Sequence, residues 1–223
     1  MKKKLKVYII GSPWGSGYAR FLSNYEFVEN PEEADLAILT GGEDVDPSLY
    51  GASKHPTTYC SLRRDKEEMR EIEKINPNQL VVGICRGSQF SCVLNGGLLV
   101  QNVSNHACSG RHGISPTRKA LDFEAIQDQI YEITSTHHQM QYPYNLSEDD
   151  YDILFTASPR RSEYYQGDKI NEEPILKFGE PEVVLYHREG CPRFLAIQGH
   201  PEMIPDSPVS RMLETLIYEL LQY

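Results

Sequence analysis

The chain has 223 residues, 39% hydrophobic and 24% charged, which is enough to bury a sizeable core as one domain spanning residues 1–223. A formal net charge of -10 and a pI near 5.2 argue against a nucleic-acid partner, because affinity for phosphate backbones comes from clustered basic surface. No stretch approaches the roughly 18 uninterrupted apolar residues of a membrane span, so no membrane partner is expected, and the five cysteines read as reduced thiols of a cytoplasmic protein.

The first residues, MKKKLKVYIIGSPWG, begin like the basic region of a signal peptide. The apolar run is only Leu5 and residues 7–10, short of the roughly 7 to 15 residues such a segment needs, so the stretch reads as a buried first strand. Residues 6–11, 36–42 and 80–85 are apolar runs ending in or near glycine, as parallel strands covered on both faces do. Between the second and third, residues 61–74 predict a charged helix with a thin apolar stripe of Leu62, Met69 and Ile72. This alternation predicts an α/β fold, a doubly wound, mostly parallel sheet with flanking helices and right-handed crossovers. After Cys85 a helix is expected, stopped by Gly96 and Gly97. Residues 130–134, 151–156, 183–187 and 194–198 predict further strands. Residues 158–181 are charged and weakly patterned, which suggests a surface excursion. Residues 207–223 place Met212, Leu213, Leu216, Ile217, Leu220 and Leu221 at helical spacing, as a closing helix packed on the sheet.

Three motifs carry chemistry. In LVVGICRGSQF, Cys85 follows an apolar run and could be a small buried hydrophobe. The glycines at 83 and 87 suggest instead a strained strand-to-helix elbow that presents a thiol, with the dipole of the following helix favouring thiolate. Far downstream, FLAIQGHPE puts His200 at the carboxyl end of a strand, the edge where open parallel sheets hold their ligands. Glu202, two residues on, could orient the imidazole as a base for the thiol. In LTGGEDVDPSLYG, glycines at 41 and 42 let the backbone approach a ligand, and the Gly42 N–H could join that of Arg86 in an oxyanion hole.

Together these motifs resemble the class I glutamine amidotransferase superfamily, with Cys85, His200 and Glu202 matching its Cys-His-Glu triad. TGGEDVDPSLYG, RRDKEE, NGGLL and STHHQ are similar to the narrower gamma-glutamyl-gamma-aminobutyrate hydrolase branch, the peptidase C26-like one. The sequence departs from that branch at Ser88, at Cys92 and over residues 11–30. The resemblance implies a flavodoxin-like glutamine amidotransferase fold with a smaller antiparallel excursion. It also implies that Gly41, Gln89 and the His137-His138-Gln139 stretch help bind the glutamyl head. The implied reaction is hydrolysis of a small-molecule gamma-glutamyl amide through a Cys85 thioester, with no metal or organic cofactor. The alternative is the glutaminase component of a two-part amidotransferase serving a separate synthetase, although the chain has no room for such a domain itself. A homodimer is left open. A reading of another class makes Cys85 a redox-sensing thiol, as in the Parkinson-associated deglycase-like family, but a sensor has no need of His200 with Glu202. His106, Cys108 and His112 crowd one predicted loop, yet no fourth ligand is evident and the spacing fits no standard finger, so no metal is expected there. By resemblance, His106 and His112 would line the pocket instead.

Overall fold

The computed structural model describes residues 3–11 and 15–222. The strands are β1 (Leu5–Ile10), β2 (Tyr25–Phe27), β3 (Leu36–Leu39), β4 (Leu80–Ile84), β5 (Leu98–Val100), β6 (Asn102–Val103), β7 (Ala107–Pro116), β8 (Tyr131–Thr136), β9 (Met140–Tyr142), β10 (Tyr151–Ala157), β11 (Tyr165–Gln166), β12 (Pro181–Tyr186) and β13 (Arg193–Ile197). The α-helices are α1 (Leu62–Ile72), α2 (Arg86–Leu94), α3 (Glu172–Phe178) and α4 (Pro208–Leu220). Nine strands form one sheet in the order β2-β1-β3-β4-β13-β12-β10-β7-β8. Pairing is parallel from β2 to β13 and antiparallel from β13 to β8. The expected parallel α/β sheet is therefore present, joined to an antiparallel half.

Strand alternation sorts the core. Leu80, Val82 and Ile84 of β4 face the cluster that contains Leu213, Leu216 and Ile217 of α4. Val81 faces the other cluster, with Phe90 of α2 and Met69 and Ile72 of α1 packed against it. The period of two on a strand sandwiched by helices is why the run reads as continuously apolar. The sheet also fixes where chemistry can sit: β4 lies between β3 and β13, so the three segments that follow these strands meet at one edge.

Three expectations change. First, α1 buries acids: Asp65 and Glu68 are 0% and 1% exposed, whereas Met69 and Ile72 are only partly covered. Second, residues 107–116 are not loop but the long strand β7, which runs beside β8. Third, residues 158–181 are more than a surface excursion. Tyr165 and Ile175 join Val100, Val103, Met140 and Tyr142 in a small apolar cluster of their own, beside the two-stranded pairs β5-β9 and β6-β11. No helix among the described residues is long and apolar enough to cross a membrane.

Candidate active site

Cys85 stands between β4 and α2 with φ 56° and ψ -110°, a strained conformation for a residue with a side chain. The turn is that tight because backbone crosses backbone at both flanking glycines. A Cβ on Gly83 would lie 2.4 Å from Gly87 O, and one on Gly87 would lie 2.2 Å from Leu39 O. Ser88 and Gln89 donate their N–H groups back to Cys85 O, and the Ser88 hydroxyl donates to the same oxygen at 2.7 Å. Arg86 N–H is then the first amide of the helix, where no intrahelical acceptor exists.

His200 follows β13 and is 6% exposed. Its Nδ1 donates to Glu202 Oε1 at 2.7 Å, and its backbone N–H donates to Thr134 Oγ1 at 2.7 Å, which ties the segment to β8. Burial alone would lower the pKa of the ring; the Cys85 thiol and the Glu202 carboxylate beside it more than offset this and push it up to about 10. Gly41 is the meeting point. A Cβ placed there would lie 2.8 Å from the Tyr18 hydroxyl, 3.4 Å from His200 Cε1 and 3.5 Å from Cys85 Cβ. The structure thus brings Cys85, His200 and Glu202 together at the sheet edge.

Tyr18 is a residue that sequence reasoning missed. Its ring centroid is 6.2 Å from that of His200, and burial raises its pKa, with Glu202 and Cys85 pushing the same way. It lies in the stretch 11–30, of which residues 12–14 are outside the described residues. No spacing or composition marks it out.

The Gly41-Gly42 loop is held from behind. Arg64 Nη2 donates to Gly41 O at 2.9 Å and to Thr40 Oγ1 at 3.2 Å, while its Nε donates to Glu68 Oε1 at 2.8 Å. In a trans peptide the C=O and the next N–H point in opposite directions, so anchoring Gly41 O turns Gly42 N–H away from Arg64. Gly42 takes φ 136°, and a Cβ there would lie 2.3 Å from Arg64 Nη1. The Arg86 side chain, expected to matter only through its backbone, is fully buried. It pairs with Asp65 and Glu68 of α1 and lies over the Phe90 ring at 4.5 Å. Two arginines and two acids therefore brace both candidate oxyanion donors. The sequence shows these charges as a solvated helix face, and only their burial reveals the brace.

Beside Cys85 opens a cavity of about 190 Å³ lined by Gly42, Asp44, Arg86, Gln89 and the 137–139 stretch, among others. Gln89 Nε2 donates to Gln139 O at 3.0 Å. His138 Nε2 lies 3.0 Å from Asp44 Oδ1, and that hydrogen bond raises its pKa against the pull of burial. His137 is buried and pulled down to about 3, chiefly by burial, so it is neutral. Gln139 Nε2 donates to Thr58 Oγ1 at 3.1 Å, and its Oε1 has no partner. Gln89 and residues 137–139 thus share one wall of this cavity. His106 and His112 do not line this cavity; they lie buried on and beside β7. Cys108 stays out of their group too, with Arg161 Nη2 at 3.7 Å from its sulfur. Cys92, a departure from the family pattern, is buried with its thiol on Leu98 O and pushed up to about 12 by burial, so it packs and is inert.

Residues 28–145 match the family model described as Peptidase C26. A candidate glutamine amidotransferase-like protein of Lactococcus lactis subsp. cremoris, the YvdE homolog, is 32% identical over 118 residues, covering 48% of this chain and 63% of that protein. Protein NtpR of Enterococcus hirae is 31% identical over 122 residues, covering 48% of this chain and 51% of that protein. The chain therefore matches only between about half and just under two thirds of these relatives' lengths. Among solved structures, a candidate GMP synthase component from Thermoplasma acidophilum superposes with a TM-score of 0.63 at 17% identity, covering 100% of this chain and 96% of that one. A glutamine amidotransferase of Thermotoga maritima gives 0.53 at 16% identity, covering 99% and 96%. At such identities these two bear on the fold.

Proposed function

This chain belongs to the Peptidase C26 family, within the class I glutamine amidotransferase superfamily, and we propose that it hydrolyses the gamma-glutamyl amide bond of a small gamma-glutamyl amine. The observation that carries this reading is the strained Cys85 elbow facing the His200–Glu202 pair across Gly41.

In this reading Cys85 attacks as the thiolate paired with the protonated His200 ring, its Sγ bonding to the side-chain carbonyl of the glutamyl group. The negative charge that develops on the carbonyl oxygen is met by Gly42 N–H and Arg86 N–H, donors already fixed before reaction. His200, kept protonated by its neighbours at neutral pH, gives its proton to the departing amine, and a thioester remains. The neutral ring then takes a proton from water, which attacks the thioester and releases glutamate. Glu202 holds Nδ1–H throughout, so Nε2 is the atom that exchanges protons. The cavity supports a small acyl head: about 190 Å³ is below the roughly 300–1,000 Å³ of sites that take drug-sized ligands. Asp44 and Glu43 on its wall suit an ammonium group.

The test is glutamate release from gamma-glutamyl-aminobutyrate and related gamma-glutamyl amines against release from free glutamine, with mass spectrometry of the Cys85 peptide after rapid quenching. The expected result is turnover of the larger amides by the chain alone and a glutamyl adduct on Cys85. Turnover of glutamine only when a synthetase is added would instead make the chain a glutaminase component. No adduct and no amide hydrolysis would remove the enzyme reading altogether.

A further inference from the structure

Behind the pocket wall, three imidazoles meet one carboxylate in the interior. His106 immediately precedes β7, His112 lies within it, His137 follows β8 and Glu182 is on β12; none is more than 4% exposed. Around Glu182 Oε1 stand His112 Nε2 at 2.7 Å, His106 Nδ1 at 3.4 Å and His137 Nε2 at 3.9 Å. One ligand atom from each of His106, His112 and Glu182 falls within 4.8 Å of the others.

Hydrogen bonding alone leaves this group incomplete. His106 Nδ1 and Nε2, His112 Nδ1, His137 Nε2 and Glu182 Oε2 are all buried without a hydrogen-bond partner. Buried polar atoms are rarely abandoned in this way; of these five, His106 Nδ1 and His137 Nε2 face Glu182, and with its free Oε2 they point to a missing partner between them. The surroundings also treat the rings as ligands. His137 Nδ1 donates to Gln139 O at 2.9 Å, which leaves the Nε2 lone pair turned towards Glu182. His106 Nε2 faces Glu180 Oε2 at 3.3 Å while its Nδ1 faces Glu182. Glu180 is itself held by the N–H groups of Arg161 and Ser162 at 2.8 Å and by the Tyr165 hydroxyl at 2.9 Å. Metal-bound imidazoles characteristically have their second nitrogen fixed by such a carbonyl or carboxylate.

We propose that His106, His112, His137 and Glu182 form a buried zinc site. Zinc takes nitrogen at about 2.0–2.1 Å and carboxylate oxygen at about 2.0–2.2 Å in a tetrahedron, so its ligand atoms lie roughly 3.3–3.5 Å apart. The spacings of His106 and His112 to Glu182 are near that, whereas His137, 3.9 Å from Glu182 and outside the trio whose ligand atoms all lie within 4.8 Å, has to swing inward to complete the set. Four protein ligands close the tetrahedron, which makes the ion structural, cross-linking β7, β8 and β12. Because residues 137–139 also line the cavity beside Cys85, the ion would brace that wall from behind. The ligand set was hidden in the sequence, where Cys108 occupies the place that Glu182, 70 residues beyond His112, fills in space.

The site is tested on the full chain, stripped with chelator, reconstituted with ZnCl₂ and examined by elemental analysis and zinc-edge X-ray absorption. One equivalent of zinc with a nitrogen and oxygen shell is expected. His112→Ala should weaken zinc binding at least 100-fold, and Glu180→Gln, which loosens only the outer contact, by about 10- to 100-fold. The thiol of Cys85 beside His200 is a competing ligand, so the measurement is repeated in Cys85→Ser, where the equivalent should persist. Absence of zinc after reconstitution, sulfur in the shell, or zinc lost with Cys85→Ser and kept in His112→Ala would each overturn the proposal. The shell and the stoichiometry of the unsubstituted chain decide the matter even if His112→Ala does not fold.

Discussion

His200 is pushed up to about 10 while His137 is pulled down to about 3, although both rings are buried and both have a glutamate nearby. Burial disfavours the charged imidazole in each case. The difference lies in how opposite charge is shared. Glu202 serves His200 alone at 2.7 Å, and the Cys85 thiol adds to it. Glu182 stands 3.9 Å from His137 and is divided among three rings, which also repel one another when charged. One site is wired to hold and hand on a proton; the other keeps lone pairs bare.

Breaking the first site at its nucleophile should give the largest effect. Cys85→Gly removes the thiol and relieves the positive φ, so amide hydrolysis should fall on the order of 10⁶-fold. The folded state should gain about 1 kcal/mol from released strain, read as a higher urea midpoint. Retained activity would place the nucleophile elsewhere. Glu202→Gln comes next: the amide can present its N–H side and select the wrong tautomer, so kcat should fall about 10⁴-fold. A loss confined to KM would deny Glu202 its orienting part.

A smaller effect is expected behind the oxyanion loop. Arg64→Lys keeps a positive charge near Glu68 but cannot hold Glu68, Thr40 Oγ1 and Gly41 O from one planar group. If Gly42 N–H then swings, kcat should fall by up to about 10²- to 10³-fold, the cost of one oxyanion donor, with KM little changed. Steady-state kinetics alongside thermal unfolding separate this from general loosening. A fall in stability with kcat intact would reduce Arg64 to a structural brace.

Legibility in the sequence followed the range of the contacts. Residues 80–85 and 194–198 were readable because a strand buried on both faces writes a continuous apolar run, and the elbow was readable because Gly83 and Gly87 are needed within two residues of Cys85. His200 and Glu202 lie 115 and 117 residues beyond Cys85, yet each motif is local and the parallel sheet brings the strand ends together. β7 was missed since its sequence, ACSGRHGISP, has glycines and no apolar alternation. Its inward positions carry His112 as well as Ile114, and His106 enters beside it, so the buried face is partly polar and period-two reading fails. Asp65 and Glu68 failed for a related reason. An acid on a helix is read as solvated, and it is the Arg86 guanidinium arriving from α2, with Arg64 on Glu68 and the Asp46 N–H on Asp65, that makes burial tolerable. Tyr18 has no signature because its position depends on how the chain between β1 and β2 folds back on the edge.

The smallest expected effect tests the protonation contrast through stability. In the unfolded chain His200 titrates near its ordinary 6.5, and in the folded protein near 10. Between those values the folded state binds a proton that the unfolded state does not, so stability falls as pH rises. The contribution of this ring is therefore complete below about pH 6.5 and is lost as pH passes through about 10. Urea midpoints of the wild type and of His200→Ala should be furthest apart near pH 6 and should converge towards pH 10. The comparison of the two proteins cancels the groups that do not touch this ring, which a single pH curve would mix. A gap that stays constant across this range would mean that the folded ring is not charged, and His200 would then have to begin the reaction as a base, taking the thiol proton before it can return one to the amine.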